Sequence, residues 1–484
     1  MTLSRRALLS GLAATLPGAA LAQVRPLPRP SGLRLPPPEG SAEAILADWG
    51  LREITGFALR DLSSGRVVEA HQPRLPLPPA SVSKAITTLY GLAALGPGYR
   101  FRTRVAITGP VQNGRVRGDL YLIGDGDPHL DTDGLADLAG QVADAGIFGV
   151  DGNAYVMAGA LPYHRQIDPE QPVHVGYNPA ISGLNLNFNR VHFEWKPDGG
   201  EYRLAMTARS GRFDPAVRLA EMRVVDRNGP VFAYAADGGR EIWSVARGAL
   251  GKGGARWLPV REPARYAAEV FRTLAVQHNL RLPELRLAER LPEGLAVVAE
   301  AESAPLERMA AAMLKYSTNL TAEVLGLRAT QITGQQPASI ADSAVAMTDW
   351  LTATHGIGGA RFVNHSGLTD VTRISASELV QVLDIAAVGA LPGLLKPVNL
   401  PDVEKAGCRV IAKTGTLNFA RGLAGYIEDG GGRRYAFAIL SADMAARAQA
   451  VTVENPRGGR GWLGRARAQE RALLARWAGM IAAA

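Results

Sequence analysis

The chain has 484 residues, of which 47% are hydrophobic, enough for two or three domains with ample core. Its formal net charge is +8, or +6 once Arg5 and Arg6 leave with an export signal; that excess suits an anionic wall or membrane surface, but no basic-aromatic motif points to nucleic acid. The single cysteine, Cys408, excludes an internal disulfide and a cysteine-rich metal site, and its apolar neighbours predict a buried structural thiol.

In chain order, the first element is a charged start, Ser4-Arg5-Arg6, then a short apolar run ending in Ala20-Leu21-Ala22. Small residues at the A-x-A positions predict an export signal over 1–22, and the paired arginines suggest the twin-arginine route. A membrane anchor is disfavoured because the run is short and Pro17 interrupts it. Residues 23–40 carry six prolines, among them Pro36-Pro37-Pro38, and read as an extended linker.

Pro78-Pro79-Ala80-Ser81-Val82-Ser83-Lys84 leads into an apolar stretch closed by Gly96-Pro97-Gly98, which predicts a helix with Ser81 at its first turn. The i, i+3 spacing puts the Ser81 hydroxyl and the Lys84 amine on one helix face. Lysine serves as a base for serine only if burial or another cation lowers its pKa, so the pair belongs in a closed, positive cleft.

A long interval separates Lys84 from the next motif. Residues 101–293 read as an inserted β-rich region with strands around Arg104-Val105-Ala106-Ile107, Leu120-Tyr121-Leu122-Ile123, Gly152-Asn153-Ala154-Tyr155-Val156 and Val191-His192-Phe193-Glu194-Trp195, turns at Asn113-Gly114, Asp198-Gly199-Gly200 and Asp237-Gly238-Gly239, and a helix over 262–277. Gly124-Asp125-Gly126-Asp127-Pro128, with Asp131 and Asp133, lacks the register of a calcium loop and reads as a tight turn. The histidines show no paired spacing, and neither a metal nor a cofactor is assigned.

Apolar residues at helical spacing over 305–327 enclose Ser317-Thr318-Asn319. S-x-N alone commonly caps a helix; beside the other motifs it offers Ser317 as a proton relay and Asn319 as a partner for a neutral lysine. Further on, Lys413-Thr414-Gly415-Thr416 enters a strand-like stretch. Gly422-Leu423-Ala424-Gly425-Tyr426-Ile427 and Tyr435-Ala436-Phe437-Ala438-Ile439-Leu440 continue it as antiparallel strands around Gly430-Gly431-Gly432. The basic stretch 462–481 predicts an amphipathic helix whose stripe of Leu463, Leu473, Leu474, Trp477 and Ile481 suits packing on the sheet, with a membrane surface as the alternative.

S-x-x-K, S-x-N and K-T-G in this order are the set used by penicillin-binding proteins and serine β-lactamases. With Gly124-Asp125-Gly126-Asp127-Pro128, Tyr177-Asn178-Pro179-Ala180-Ile181-Ser182-Gly183-Leu184 and Leu423-Ala424-Gly425-Tyr426, the chain resembles the D-alanyl-D-alanine carboxypeptidase/endopeptidase family of low-molecular-mass penicillin-binding proteins. The resemblance implies an α+β fold: a transpeptidase/β-lactamase-like catalytic domain, its antiparallel sheet flanked by helices, split into 41–100 and 294–484 around the insert at 101–293. It implies a periplasmic serine D,D-peptidase acting on peptidoglycan stem peptides and acylated by β-lactams. Ser81 is then the nucleophile, Lys84 its base, Ser317 and Asn319 the second motif, and Lys413, Thr414, Gly415 and Thr416 the substrate-binding strand; Lys413 also helps keep Lys84 neutral. The chain departs from the family pattern at Asn364-His365-Ser366-Gly367-Leu368-Thr369, and it lacks an acidic residue around Val156-Met157-Ala158-Gly159 where relatives often have one. A serine β-lactamase and a wall-binding scaffold with a relict site are the alternatives, and the oligomeric state is left open.

Overall fold

The computed structural model describes residues 40–483. The expected export signal at 1–22 and all but the last residue of the linker at 23–40 lie outside the described residues. The catalytic motifs are organised by a six-stranded antiparallel sheet in the order Lys396–Pro397, Arg409–Leu417, Ala420–Glu428, Arg434–Ala442, Thr55–Asp61, Val67–His71. Ala420–Glu428 is buried at every position, as a central strand covered on both faces must be.

Strand alternation sorts the core into two layers. Phe57, Leu59, Leu423, Ile427, Phe437 and Ile439 meet Leu473, Leu474, Trp477 and Ile481 of the terminal helix Gly459–Ala482. Ala58, Ala424, Tyr426, Ala436, Ala438 and Leu440 face Val82 and Ile86 of the motif-one segment and Leu379, Val380 and Leu383 of the helix Ala376–Ala386. Four members of the expected terminal stripe are therefore spent on the sheet, and Leu463 is half-buried beside Leu51 and Trp462. Cys408 is buried in the same layer, as its neighbours predict. Among the described residues no helix is long and apolar enough to cross a membrane.

No strand from 102–302 enters that sheet. These residues build a five-stranded sheet in the order Leu285–Leu287, Ala154–Met157, Leu120–Gly124, Arg102–Ile107, Ala296–Glu302, together with three three-stranded sheets. The expected end of the insert at 293 falls short, because Ala296–Glu302 pairs antiparallel with Arg102–Ile107. Entry and exit lie side by side: Ser303 N–H donates to Phe101 C=O at 2.8 Å, and Phe101 N–H to Ser303 Oγ at 3.0 Å.

The predicted helix over 262–277 is found as Pro263–Ala275. A second helix, Thr132–Asp144, was not read from the sequence; Asp131, assigned there to a turn, caps it by accepting from Gly134 N–H at 2.8 Å. The turn reading does hold for Asp127, whose Oδ1 accepts from His129 N–H at 2.8 Å. The continuous helix implied over 305–327 is two, Leu306–Tyr316 and Asn319–Ile332, broken where Ser317 adopts φ +61°.

Trp477 is fully buried, edge-on to Phe57 at 5.5 Å, and donates from Nε1 to Glu69 at 2.7 Å. Trp477→Ala is expected to cost about 3–5 kcal/mol of unfolding free energy. Denaturant titration checks this, and a loss below about 1 kcal/mol would mean that the helix does not anchor the sheet.

Candidate active site

The first motif sits on strained backbone. Ala80 adopts φ +49°, Ala80–Val82 forms a 3-10 turn, and Ser83–Leu95 continues as the α-helix that Gly96 ends. Ser81 thus precedes the α-helix proper, with Lys84 at its second residue. Two glycines let other segments close on this turn. A Cβ on Gly415 would lie 2.4 Å from Pro79 O and 3.0 Å from Ser81 N, and one on Gly367 would lie 1.9 Å from Ala80 O. The strand Arg409–Leu417 and the loop 364–369 are thereby pressed against the serine.

Lys84 is 0% exposed. Its Nζ donates to Ser81 Oγ at 2.9 Å, Asn319 Oδ1 at 2.7 Å and Ser366 C=O at 2.7 Å. Three acceptors use the three hydrogens of an ammonium, and a neutral amine in the same place can turn its lone pair to the serine. Burial lowers the Lys84 pKa to about 7, against the opposing pull of Glu323. Burial is thus what lowers it; the charge that acts on Lys84 is Glu323, which opposes the shift, and not the Lys413 cation expected to favour it.

The second motif is set by the break between its helices. Ser317, in the left-handed conformation, ends one helix and Thr318 starts the next without a side-chain cap, so capping does not explain the motif. Ser317 Oγ accepts from Lys413 Nζ at 3.1 Å, joining the second motif to the third. Asn319 reaches both ways, accepting from Lys84 and donating from Nδ2 to Tyr177 C=O at 2.8 Å. Tyr177 belongs to the inserted region, so a catalytic-motif side chain is tied to the insert.

The third motif lies on Arg409–Leu417, opposite Ala420–Glu428 with Thr416 paired to Arg421. Lys413 is buried and also donates to Thr414 C=O at 2.7 Å. Ser81, Ser317, Asn319 and Thr416 line one cavity of about 350 Å³, whose wall also includes Tyr177, Leu417, Phe419 and Arg447. Lys84 and Lys413 stand behind it, reached through Ser81 and Ser317. The geometry offers a hydroxyl, an amine that titrates near neutrality, a second hydroxyl held by a second amine, and the end of a β-strand on which an extended peptide can lie.

Glu323 and Ser366 were not read as site residues. Glu323 is fully buried in the helix Asn319–Ile332, and burial raises its pKa. It accepts from the backbone N–H groups of His365 and Ser366, both at 2.9 Å. This fixes the loop whose Ser366 carbonyl receives Lys84. The departure at 364–369 has a local account: Asn364 Oδ1 accepts from Gly367 N–H at 2.9 Å, and buried His365, pushed down to about 3 by burial, pairs with Ser343 at 2.8 Å.

A family model described as the D-Ala-D-Ala carboxypeptidase 3 (S13) family matches residues 39–457. A D-alanyl-D-alanine carboxypeptidase of Actinomadura sp. (strain R39) is 26% identical over 454 residues, covering 85% of this chain and 82% of that one. The crystal structure of penicillin binding protein 4 (dacB) from Haemophilus influenzae superposes with a TM-score of 0.71 at 20% identity, covering 90% of this chain and 98% of that one. Its complex with a β-lactam gives a TM-score of 0.68 at 20% identity over 88% and 98%. The likeness shows the α+β penicillin-binding fold, and the match over most of its length shows that the chain belongs to the D-Ala-D-Ala carboxypeptidase 3 (S13) family, as a serine-type D-Ala-D-Ala carboxypeptidase.

Proposed function

We propose that this chain acts in the periplasm on peptidoglycan stem peptides, removing a terminal D-Ala and opening D-Ala-diaminopimelate cross-links through one Ser81 acyl-enzyme. The observation that carries the reading is the buried Lys84 amine shared by Ser81 and Asn319. Neutral Lys84 takes the Ser81 proton as Oγ attacks the D-Ala carbonyl. The N–H groups of Ser81 and Thr416 stabilise the oxyanion, by resemblance to the family. Ser317, held by Lys413, passes a proton to the leaving amine, and water then hydrolyses the ester.

Thr416 at the cavity wall, with Lys413 and Thr414 behind it, holds the carboxylate next to the scissile bond, by resemblance to the family. A terminal D-Ala carries that group, and so does the D-centre of a cross-linked diaminopimelate, so one clamp serves both reactions. Incubation with purified cross-linked muropeptides, with products identified by mass, tests this. Free D-Ala and monomers from dimers are both expected; release of neither would overturn the proposal.

Acylation should follow the titration of Lys84. The protonated ammonium has no lone pair for the Ser81 proton, so kcat/KM should fall about tenfold per pH unit below about 7 and level off above it. A profile flat from pH 5 to 8 would exclude Lys84 as the base.

β-Lactams should acylate Ser81 and leave slowly. The H. influenzae fold relative is described in complex with a β-lactam. Among the described residues, none that lines the cavity carries a carboxylate to activate water. Glu323 is buried against the 364–369 loop, Glu378 is engaged in a helix cap with Ser375, and Glu404 is exposed on a short helix. Intact-mass spectrometry with benzylpenicillin should show a persistent adduct that Ser81→Ala abolishes. Rapid return to free enzyme over many turnovers would favour a β-lactamase.

A further inference from the structure

Arg421 is not part of any of the three motifs, yet it stands directly across the strand pair from Thr416. Its Nη1 lies 2.8 Å from Thr416 Oγ1 and 3.4 Å from Gly415 C=O. The rest of its guanidinium is forked onto Glu470 of the terminal helix, with Nε at 2.8 and 3.1 Å from the two carboxylate oxygens and Nη2 at 2.9 Å. Arg421 is 8% exposed and Glu470 is 4% exposed.

A guanidinium can only donate, so Thr416 Oγ1 must be the acceptor in this contact. The single hydroxyl hydrogen of Thr416 is then free to point elsewhere, and Thr416 is exposed to the cavity that Ser81 lines. A threonine in a strand would otherwise be free to rotate its hydroxyl and offer either a lone pair or a hydrogen to whatever enters. A buried ion pair roughly breaks even in stability, so its use here is better sought in geometry than in holding the fold. The Glu470 fork fixes the orientation of the guanidinium, and that fixes the hydroxyl.

We infer that Arg421, clamped by Glu470, is a positioning residue that sets the Thr416 hydroxyl as a donor toward the cavity and thereby makes the enzyme select substrates with a free carboxylate beside the scissile bond. The inference rests on the reading that this cavity takes acyl-D-Ala-D-Ala peptides. It adds a determinant from a neighbouring strand and a distant helix to the clamp on Arg409–Leu417.

The test uses the folded enzyme and two synthetic peptides, an acyl-D-Ala-D-Ala acid and the same peptide with its terminal carboxyl amidated. Arg421→Lys keeps a cation beside Glu470 but cannot both satisfy that carboxylate and reach Thr416. It should lower kcat/KM for the acid about tenfold, mainly through KM, and leave the amide within about twofold. Thr416→Val should show the same selective loss, and adding Arg421→Lys to it should cost less than about twofold more, because the hydroxyl through which Arg421 acts is gone. Glu470→Gln, which loosens the fork without leaving a buried charge on that side chain, should give an intermediate selective loss and serves if Arg421→Lys does not fold. Equal losses on acid and amide, or losses from Thr416→Val and Arg421→Lys that simply multiply, would overturn the inference while leaving the peptidase reading intact. A wild-type enzyme that cleaves neither peptide would instead overturn that reading, and the inference with it.

Discussion

A lysine amine with no exposed surface and no carboxylate in ion-pair contact is the constraint on which the site depends. Burial of an ammonium is costly, and the protein meets the cost with three oxygen acceptors rather than a counter-ion. A direct carboxylate would lock Lys84 in its charged form. Neutral oxygens from Ser81, Asn319 and the Ser366 backbone satisfy its hydrogens while leaving burial to pull its pKa toward 7.

Those oxygens come from three distant segments, and the fold can be understood as the means of holding them. The six-stranded sheet supports the strand Arg409–Leu417, and Gly415 allows it to touch the Pro79–Ser81 backbone. The helix Asn319–Ile332 packs on the nucleophile helix where Gly91 faces Leu325, bringing Asn319 and Glu323 to Lys84 from the same side. Glu323 then works one step removed, gripping the amides of His365 and Ser366 so that the Ser366 carbonyl points at the amine.

This arrangement explains which parts were legible in the sequence. That Ser81, Lys84, Ser317, Asn319 and Lys413 meet was legible because the motifs consist of side chains at fixed spacing, and hydrogen bonds join Lys84 to Ser81 and Asn319, and Lys413 to Ser317. Ser366 was not, because its contribution is a backbone carbonyl, which any residue carries. Arg421 was not, because its partnership with Thr416 depends on strand register and its partnership with Glu470 on a helix about 50 residues away. The sheet strands were legible from alternation, whereas the helix break at Ser317 was not: apolar periodicity runs through 305–327, and nothing in the pattern marks a left-handed residue. The end of the insert was misplaced for a related reason, since Ala296–Glu302 is partly exposed and acquires its place only by pairing with Arg102–Ile107.

The same buried environment pushes Lys84 down and Glu323 up, so both groups are driven toward their neutral forms while their mutual attraction resists. Hydrogen bonds from Ser366 and from the His365 and Ser366 backbone oppose the rise at Glu323 without reversing it, whereas the partners of Lys84 are neutral oxygens. The pair is therefore unequal in its partners: the acid grips the loop and the amine faces Ser81. Were Glu323 moved into direct contact with Lys84, the loop would lose its anchor and the lysine would regain its charge. Separating the carboxylate from the amine by one peptide unit, Ser366, lets a single buried acid fix the geometry of the site without fixing the protonation of the base.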